Sequence, residues 1–223
     1  MDENRDKKEH GVKFLLQEFG QIDTERLRLR GEAVQRLNFF LTLTSAILGG
    51  LVLFGQSSSL IRIDYIVFAA LLFLSTIGWQ TFDYIIGRDI NTDRLLRAGG
   101  RIRRYFVKND PTIQKYLMWQ NHDEPSGYIT HNTSAIRRTV EAILSFLLAV
   151  AVGLLVNFIV QQEVIPFIGG AISFMVFLAG LKIYAFRRFQ KAVKEAQEKE
   201  ILHPKETIEK IENPQVMNDK TTQ

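Results

Sequence analysis

Four stretches of this 223-residue chain, residues 37–61, 65–82, 142–162 and 164–181, carry no charged side chain. About 18 such residues suffice for a helix to cross the roughly 30 Å hydrocarbon core of a bilayer. Only Arg62 and Asp64 stand between residues 37 and 82, and Glu163 alone stands between 142 and 181. The apolar residues run all round each putting-together of turns and not along one stripe, which excludes an ordinary amphipathic surface helix. A soluble helical protein could hide four such helices only inside more amphipathic wrapping than the remaining segments supply. The sequence therefore predicts an all-α integral membrane protein with four transmembrane helices.

The joints are short. Gly55-Gln-Ser-Ser-Ser59 and Gln161-Gln-Glu-Val-Ile-Pro166 are expected to close two hairpins, residues 37–86 and 139–185, with Pro166 in a helix's first turn. The flanks are an N-terminal helix (1–36), a basic helical segment with a loop (87–138), and a C-terminal helix with a disordered tail (186–223). Eight lysines and arginines precede residue 37, ten lie in 87–138 and nine follow residue 181, leaving Arg62 alone on the other side. Positive charge stays on the cytoplasmic flanks of inserted helices, so both termini and the central segment are expected inside. The first span is expected to serve as its own uncleaved signal. The net charge of +4 is then a topology signal that favours anionic lipid headgroups over nucleic acid.

From Val12 to Arg36 the apolar residues Val12, Leu15, Leu16, Phe19, Ile22, Leu29 and Ala33 recur near helical spacing. This coiled-coil-like seam must pack on other cytoplasmic helices or on another copy of the chain. Phe189, Val193 and Ala196 form a similar face near the C-terminus, up to His203-Pro204. In the central segment Arg94, Arg97, Arg101, Arg104 and Lys108 step by three and four, stacking five cations on one helix face. Such a row needs compensation, and three sources fit: anionic lipid, acidic residues of the terminal helices, or a phosphate-bearing ligand. Gly99-Gly100 within it predicts a hinge or a close helix crossing, and Asp110-Pro111 predicts a helix start leading to Trp119.

Candidate chemistry is sparse. His122, Asp123 and Glu124 are adjacent loop residues that would need distant partners to hold a metal, and His131 lies nine positions from His122. No phosphate-binding glycine loop, nucleophile elbow or paired catalytic carboxylate appears, and there is no cysteine. The expectation is a protein without enzymatic activity, cofactor or metal.

The third span carries Glu141, Ser145, Ala149, Gly153 and Asn157 at unbroken steps of four. This stripe of small and polar residues suits close helix packing, and it would equally suit a water path. Asp83 and Glu141 sit at the inner ends of spans, where an unpaired charge is disfavoured; the cations expected to meet them are Arg36, Arg137, Arg138 and Lys182. No span has a charge at its centre, which argues against a proton relay. Arg36 and Arg137 precede the first and third spans, and Asp64 and Glu163 open the second and fourth, the pattern of a tandem two-helix repeat.

The arginine-rich stretch Glu25-Arg-Leu-Arg-Leu-Arg30, followed by Glu32-Ala-Val-Gln-Arg36 and a short-looped hairpin, resembles the SLATT domains. These are bacterial two-helix membrane effectors proposed to form pores in defence systems. The likeness is architectural, covers residues 12–86, and implies an effector that permeabilises a membrane. The second hairpin and the lack of a recognisable sensor domain depart from that pattern. Arg101-Ile-Arg-Arg-Tyr-Phe-Val107 is also similar to a signature of bacterial membrane proteins. The residues together point to a multi-pass protein of the inner membrane acting as an oligomeric scaffold or interaction protein, the alternative being a pore-forming effector. The expected partners are the bilayer, further copies of the chain and a cytoplasmic partner.

Overall fold

A computed structural model describes residues 2–57, 63–117, 134–160 and 164–198. Four long helices, α1 (Asp2–Ser57), α2 (Ile63–Asn109), α3 (Ala135–Val160) and α4 (Ile165–Glu198), carry almost all of them, with one 3₁₀ turn at Pro111–Tyr116. No strand occurs among the described residues. Each long helix is long and apolar enough to cross a membrane.

The helices outrun the uncharged windows. α1 has 56 residues, so the arginine-rich segment and residues 37–57 of the first window belong to one helix. α2 has 47 residues and passes Gly99-Gly100 without a break. Those glycines are buried, and a Cβ on Gly99 would touch Phe19 at 3.7 Å, so Gly99 lies against a neighbouring ring.

Asp110 caps the following turn by accepting the Thr112 N–H at 3.0 Å, with Pro111 at its first position. The turn closes through Leu117 N–H to the Gln114 carbonyl at 3.2 Å and ends at Tyr116, tighter and shorter than the helix expected toward Trp119. Poor helix formers at Thr112, Ile113 and Tyr116 account for this. At the start of α3 the Ser134 Oγ accepts the Arg137 N–H at 3.4 Å, and Pro166 sits in the first turn of α4. The joint at 58–62, the 121–127 loop with His122, Asp123 and Glu124, His131, Glu163 and His203-Pro204 lie outside the described residues.

The chain divides into two compact units, one of Met1–Leu29, Ile90–His131 and Gln190–Gln223, the other of Arg30–Asp89 and Asn132–Phe189. The second contains all four uncharged windows. Its core joins α1, α2 and α3 through Phe40, Leu71, Leu74, Leu147 and Ala151. Its surface inverts that of a soluble protein: Phe39, Phe73, Phe146, Phe167, Ile172 and Met175 are exposed, while Arg137, Glu141, Thr81 and Ser145 are buried. Apolar side chains outside and polar ones inside match a hydrocarbon solvent. In the first unit Ile22, Leu29, Ile90, Ile102, Ala192 and Ala196 are buried, and Arg103 lies over the Phe19 ring at 5.1 Å.

Gly78 marks a close approach in the core. A Cβ there would stand 3.0 Å from the Phe40 ring and 3.1 Å from Leu144, two side chains with almost no exposure to yield into. Gly180 has nothing within 4 Å of its would-be Cβ. Gly78→Val should therefore cost about 1–3 kcal/mol, the usual penalty of overpacking, while Gly180→Val should leave the thermal midpoint in detergent almost unchanged. Equal shifts in the two variants would contradict this packing.

Candidate functional site

The polar residues of the second unit collect where the uncharged windows of α2 and α3 meet their charged ends. Arg137, one turn inside α3, is the centre; its side chain is 3% exposed. One guanidinium nitrogen lies 3.5 Å from Asp89 Oδ2 on α2, and Nε lies 3.3 Å from Glu141 Oε1, one turn along α3. Asp89 also pairs with Arg88, and Arg88 donates to Ser134 Oγ at 3.3 Å. The Phe189 ring of α4 faces the Arg137 guanidinium at 5.0 Å. A buried arginine is tolerable only when its charge is balanced, and two carboxylates on two helices balance it here.

Asp89 lies seven residues beyond the uncharged window of α2. Burial pushes its carboxyl above the usual carboxylate range, against the lowering pull of Arg88 and Arg137.

A second cluster joins α2 and α4. The Tyr184 hydroxyl donates to Asp83 Oδ1 at 2.8 Å, and Arg188 reaches the same oxygen at 3.4 Å. The Tyr184 ring packs with Trp79 at 4.9 Å between centroids and with Phe82 at 6.3 Å. Sequence reading offered Arg36, Arg137, Arg138 and Lys182 as partners for the two boundary acids. Arg137 takes Glu141, whereas Asp83 takes Arg188 and Tyr184. No spacing distinguishes Arg88 and Asp89, and although Tyr184 stands near the inner end of a span and Arg188 on a charged helix face, nothing in the sequence links either to Asp83.

The stripe on α3 changes character along its length. Glu141, Ser145 and Ala149 are buried and Asn157 is exposed. A Cβ on Gly153 would come within 3.3 Å of the Pro166 carbonyl, and one on Gly170 within 3.4 Å of the Ala149 carbonyl. Ala149 and Gly153 thus face the backbone of α4, the close approach that small residues permit. The same residues line an apolar groove of about 800 Å³ with Phe146, Asn157, Phe167 and Phe174.

The arginine row belongs to the first unit and is not presented uniformly. Arg97 is buried and paired with Asp93 one turn before it, Arg94, Arg101 and Arg104 are half-buried, and Lys108 is exposed. Neither Arg101 nor Arg104 is without an interaction partner. The compensation visible at Arg97 comes from an acid on its own helix. No group of three or more histidine, cysteine or acidic side chains able to hold a metal occurs among the described residues.

Removing Arg137 would leave Asp89 and Glu141 buried without their shared cation. Arg137→Met should destabilise the protein by about 3–5 kcal/mol, and adding Glu141→Gln should recover part of that loss, because Asp89 keeps Arg88 while Glu141 would otherwise stay charged and buried without the cation beside it. Reversible unfolding in mixed detergent would measure both; a double variant no better than the single one would show that Arg137 acts through packing alone.

No family model, curated protein or solved structure matches this chain.

Proposed function

We propose that this chain is a non-enzymatic, oligomeric scaffold or interaction protein of the bacterial inner membrane, with its spans paired as two hairpins and its termini and basic central segment in the cytoplasm. The observation that carries the reading is a pair of exposed leucines outside the spans, with a glycine between them. Leu16 and Leu27 are 57% and 64% exposed, and with Gly20 they fall on one face of α1 at steps of four and seven. A Cβ on Gly20 would meet nothing within 4 Å. Ile22 and Leu29, on a different face, are already buried. Leu27 stands ten residues before the first uncharged window, so hydrocarbon does not cover this face. A second copy of α1 does, since a two-fold helix pair uses one face twice and glycine lets the two backbones approach.

On this reading the protein purified in mild detergent is an oligomer by native mass spectrometry. Leu16→Glu combined with Leu27→Glu should reduce it to monomers without loss of helical circular dichroism. A monomeric wild type would remove the proposal.

A second reading, a pore-forming effector of the kind the SLATT likeness implies, draws on another observation. The hydroxyls of Thr44, Ser75 and Ser145, on three helices, are buried without a hydrogen-bond partner among the described residues, and a file of water would satisfy them. Against it, Ala149 and Gly153 face α4 backbone instead of a lumen. Liposomes holding the wild-type protein should therefore retain an encapsulated dye. Leakage that Asn157→Leu abolishes with the oligomer intact would favour the pore.

The orientation has its own test, because the chain has no native cysteine. Cysteines at Ser58 and Gln162 should react with an impermeant maleimide added outside the cell, and cysteines at Asp123 and Asp219 only after permeabilisation. External labelling at Asp123 would reverse the orientation.

A further inference from the structure

A groove of about 630 Å³ opens between α1 and α2, walled by Glu32, Arg36 and Phe39 on one side and Ile77, Gln80 and Tyr84 on the other. Its polarity runs in one direction on both walls. Along α1 an acid, a base and an aromatic ring follow at steps of four and three, so they share a face, with about 6 Å of rise between Glu32 and Arg36. Along α2 the matching order is Tyr84, Gln80, Ile77. Phe39 and Ile77 belong to uncharged windows, whereas Glu32 lies outside them.

Tyr84 organises the polar end. Its hydroxyl donates to Glu32 Oε2 at 2.5 Å, and its ring lies 3.7 Å beneath the Arg36 guanidinium. Such a contact engages the face of a guanidinium and keeps its N–H edge available to an anion. Arg36 is exposed, in contrast to the buried and doubly paired Arg137.

We propose that this groove binds a zwitterionic glycerophospholipid of the phosphatidylethanolamine type. Arg36 takes the phosphate through charge-assisted hydrogen bonds. Glu32, one turn farther from the apolar windows, takes the ammonium. Gln80 offers its amide to the ester carbonyls, and Phe39 and Ile77 pack the first acyl methylenes. Ammonium, phosphate, ester and acyl chain is the lipid's own order from water to hydrocarbon, and the groove repeats it. The charges of Glu32 and Arg36 cancel, which complements a zwitterion; a net anionic headgroup would meet the Glu32 carboxylate. The site lies within one chain, so it rests on membrane insertion and not on the subunit number or on the scaffold reading.

The test uses the full chain in mild detergent, titrated with phosphatidylethanolamine or phosphatidylglycerol, with retained lipid counted by native mass spectrometry. The wild type should retain phosphatidylethanolamine about tenfold better than phosphatidylglycerol, the scale of one charge-assisted contact. Glu32→Gln should invert that preference, and Arg36→Gln should weaken retention of both lipids by a similar factor. Glu195→Gln removes a carboxylate that lines no part of the groove and should keep the preference. An unchanged ratio in Glu32→Gln, or a loss of preference in Glu195→Gln equal to that in Glu32→Gln, would overturn the proposal. Displacement of the lipid by inorganic phosphate or phosphoethanolamine at equal concentration would also overturn it, in favour of a soluble phosphate compound.

Discussion

The energetic constraint behind this fold is that hydrocarbon tolerates neither a bare charge nor an unpaired backbone amide. Helices satisfy the backbone internally, which leaves side-chain charge as the variable the sequence must manage. It does so by segregation. The 18-residue and longer windows are free of charge, and the acids and bases adjoining them meet each other: Asp89 and Glu141 with Arg137, Asp83 with Arg188. The buried hydroxyls and the exposed phenylalanines of the same unit express that constraint from its two sides.

Arg137 shows how far the segregation goes. A guanidinium with 3% exposure loses several kcal/mol of hydration, and a pair in such a place seldom adds net stability over apolar side chains of equal volume. What it adds is geometry. The two carboxylates belong to α2 and α3, Phe189 of α4 closes the other side, and a rotation of α3 by one residue would carry the guanidinium away from Asp89. Gly78 contributes the apolar counterpart, since its missing Cβ admits Phe40 and Leu144 together. Polar pairing and close packing thus select the same register.

The spans were legible because absence of charge over 18 residues is a property of a single segment and needs no knowledge of neighbours. The continuity of α1 through its arginine-rich start was legible as a helical period from Val12 to Ala33, interrupted at Arg26. The arginine row was legible as spacing but not as environment. Arg97 pairs with Asp93, an i,i+4 signal present in the sequence and overshadowed by the five aligned cations. Asp83 and Tyr184 are 101 positions apart, and nothing local marks that partnership beyond an aromatic residue near the end of a span. The stripe on α3 was visible as small residues at steps of four, whereas the choice of α4 as its neighbour depends on Gly170 and Pro166, which carry no corresponding pattern.

The apparent repeat of the two halves gains meaning from the same comparison. Arg36 precedes the first window by one residue and Arg137 precedes the third by five, and a duplicated hairpin would have begun with both in one environment. In the structure Arg137 is enclosed by two carboxylates and a phenylalanine, while Arg36 lies exposed on a tyrosine face. The difference traces to their neighbours. The carboxylate one turn after Arg137 is Glu141, directed into the unit; the residue one turn after Arg36 is Phe40, which fills the apolar core. The carboxylate near Arg36 is instead one turn before it, at Glu32, where Tyr84 engages it. Moving the acid from one side of the arginine to the other converts a helix-locking ion pair into a dipolar surface with its negative end toward water and its positive end toward hydrocarbon. Of two arginines at the edges of uncharged windows, one thus joins helices and the other is left accessible.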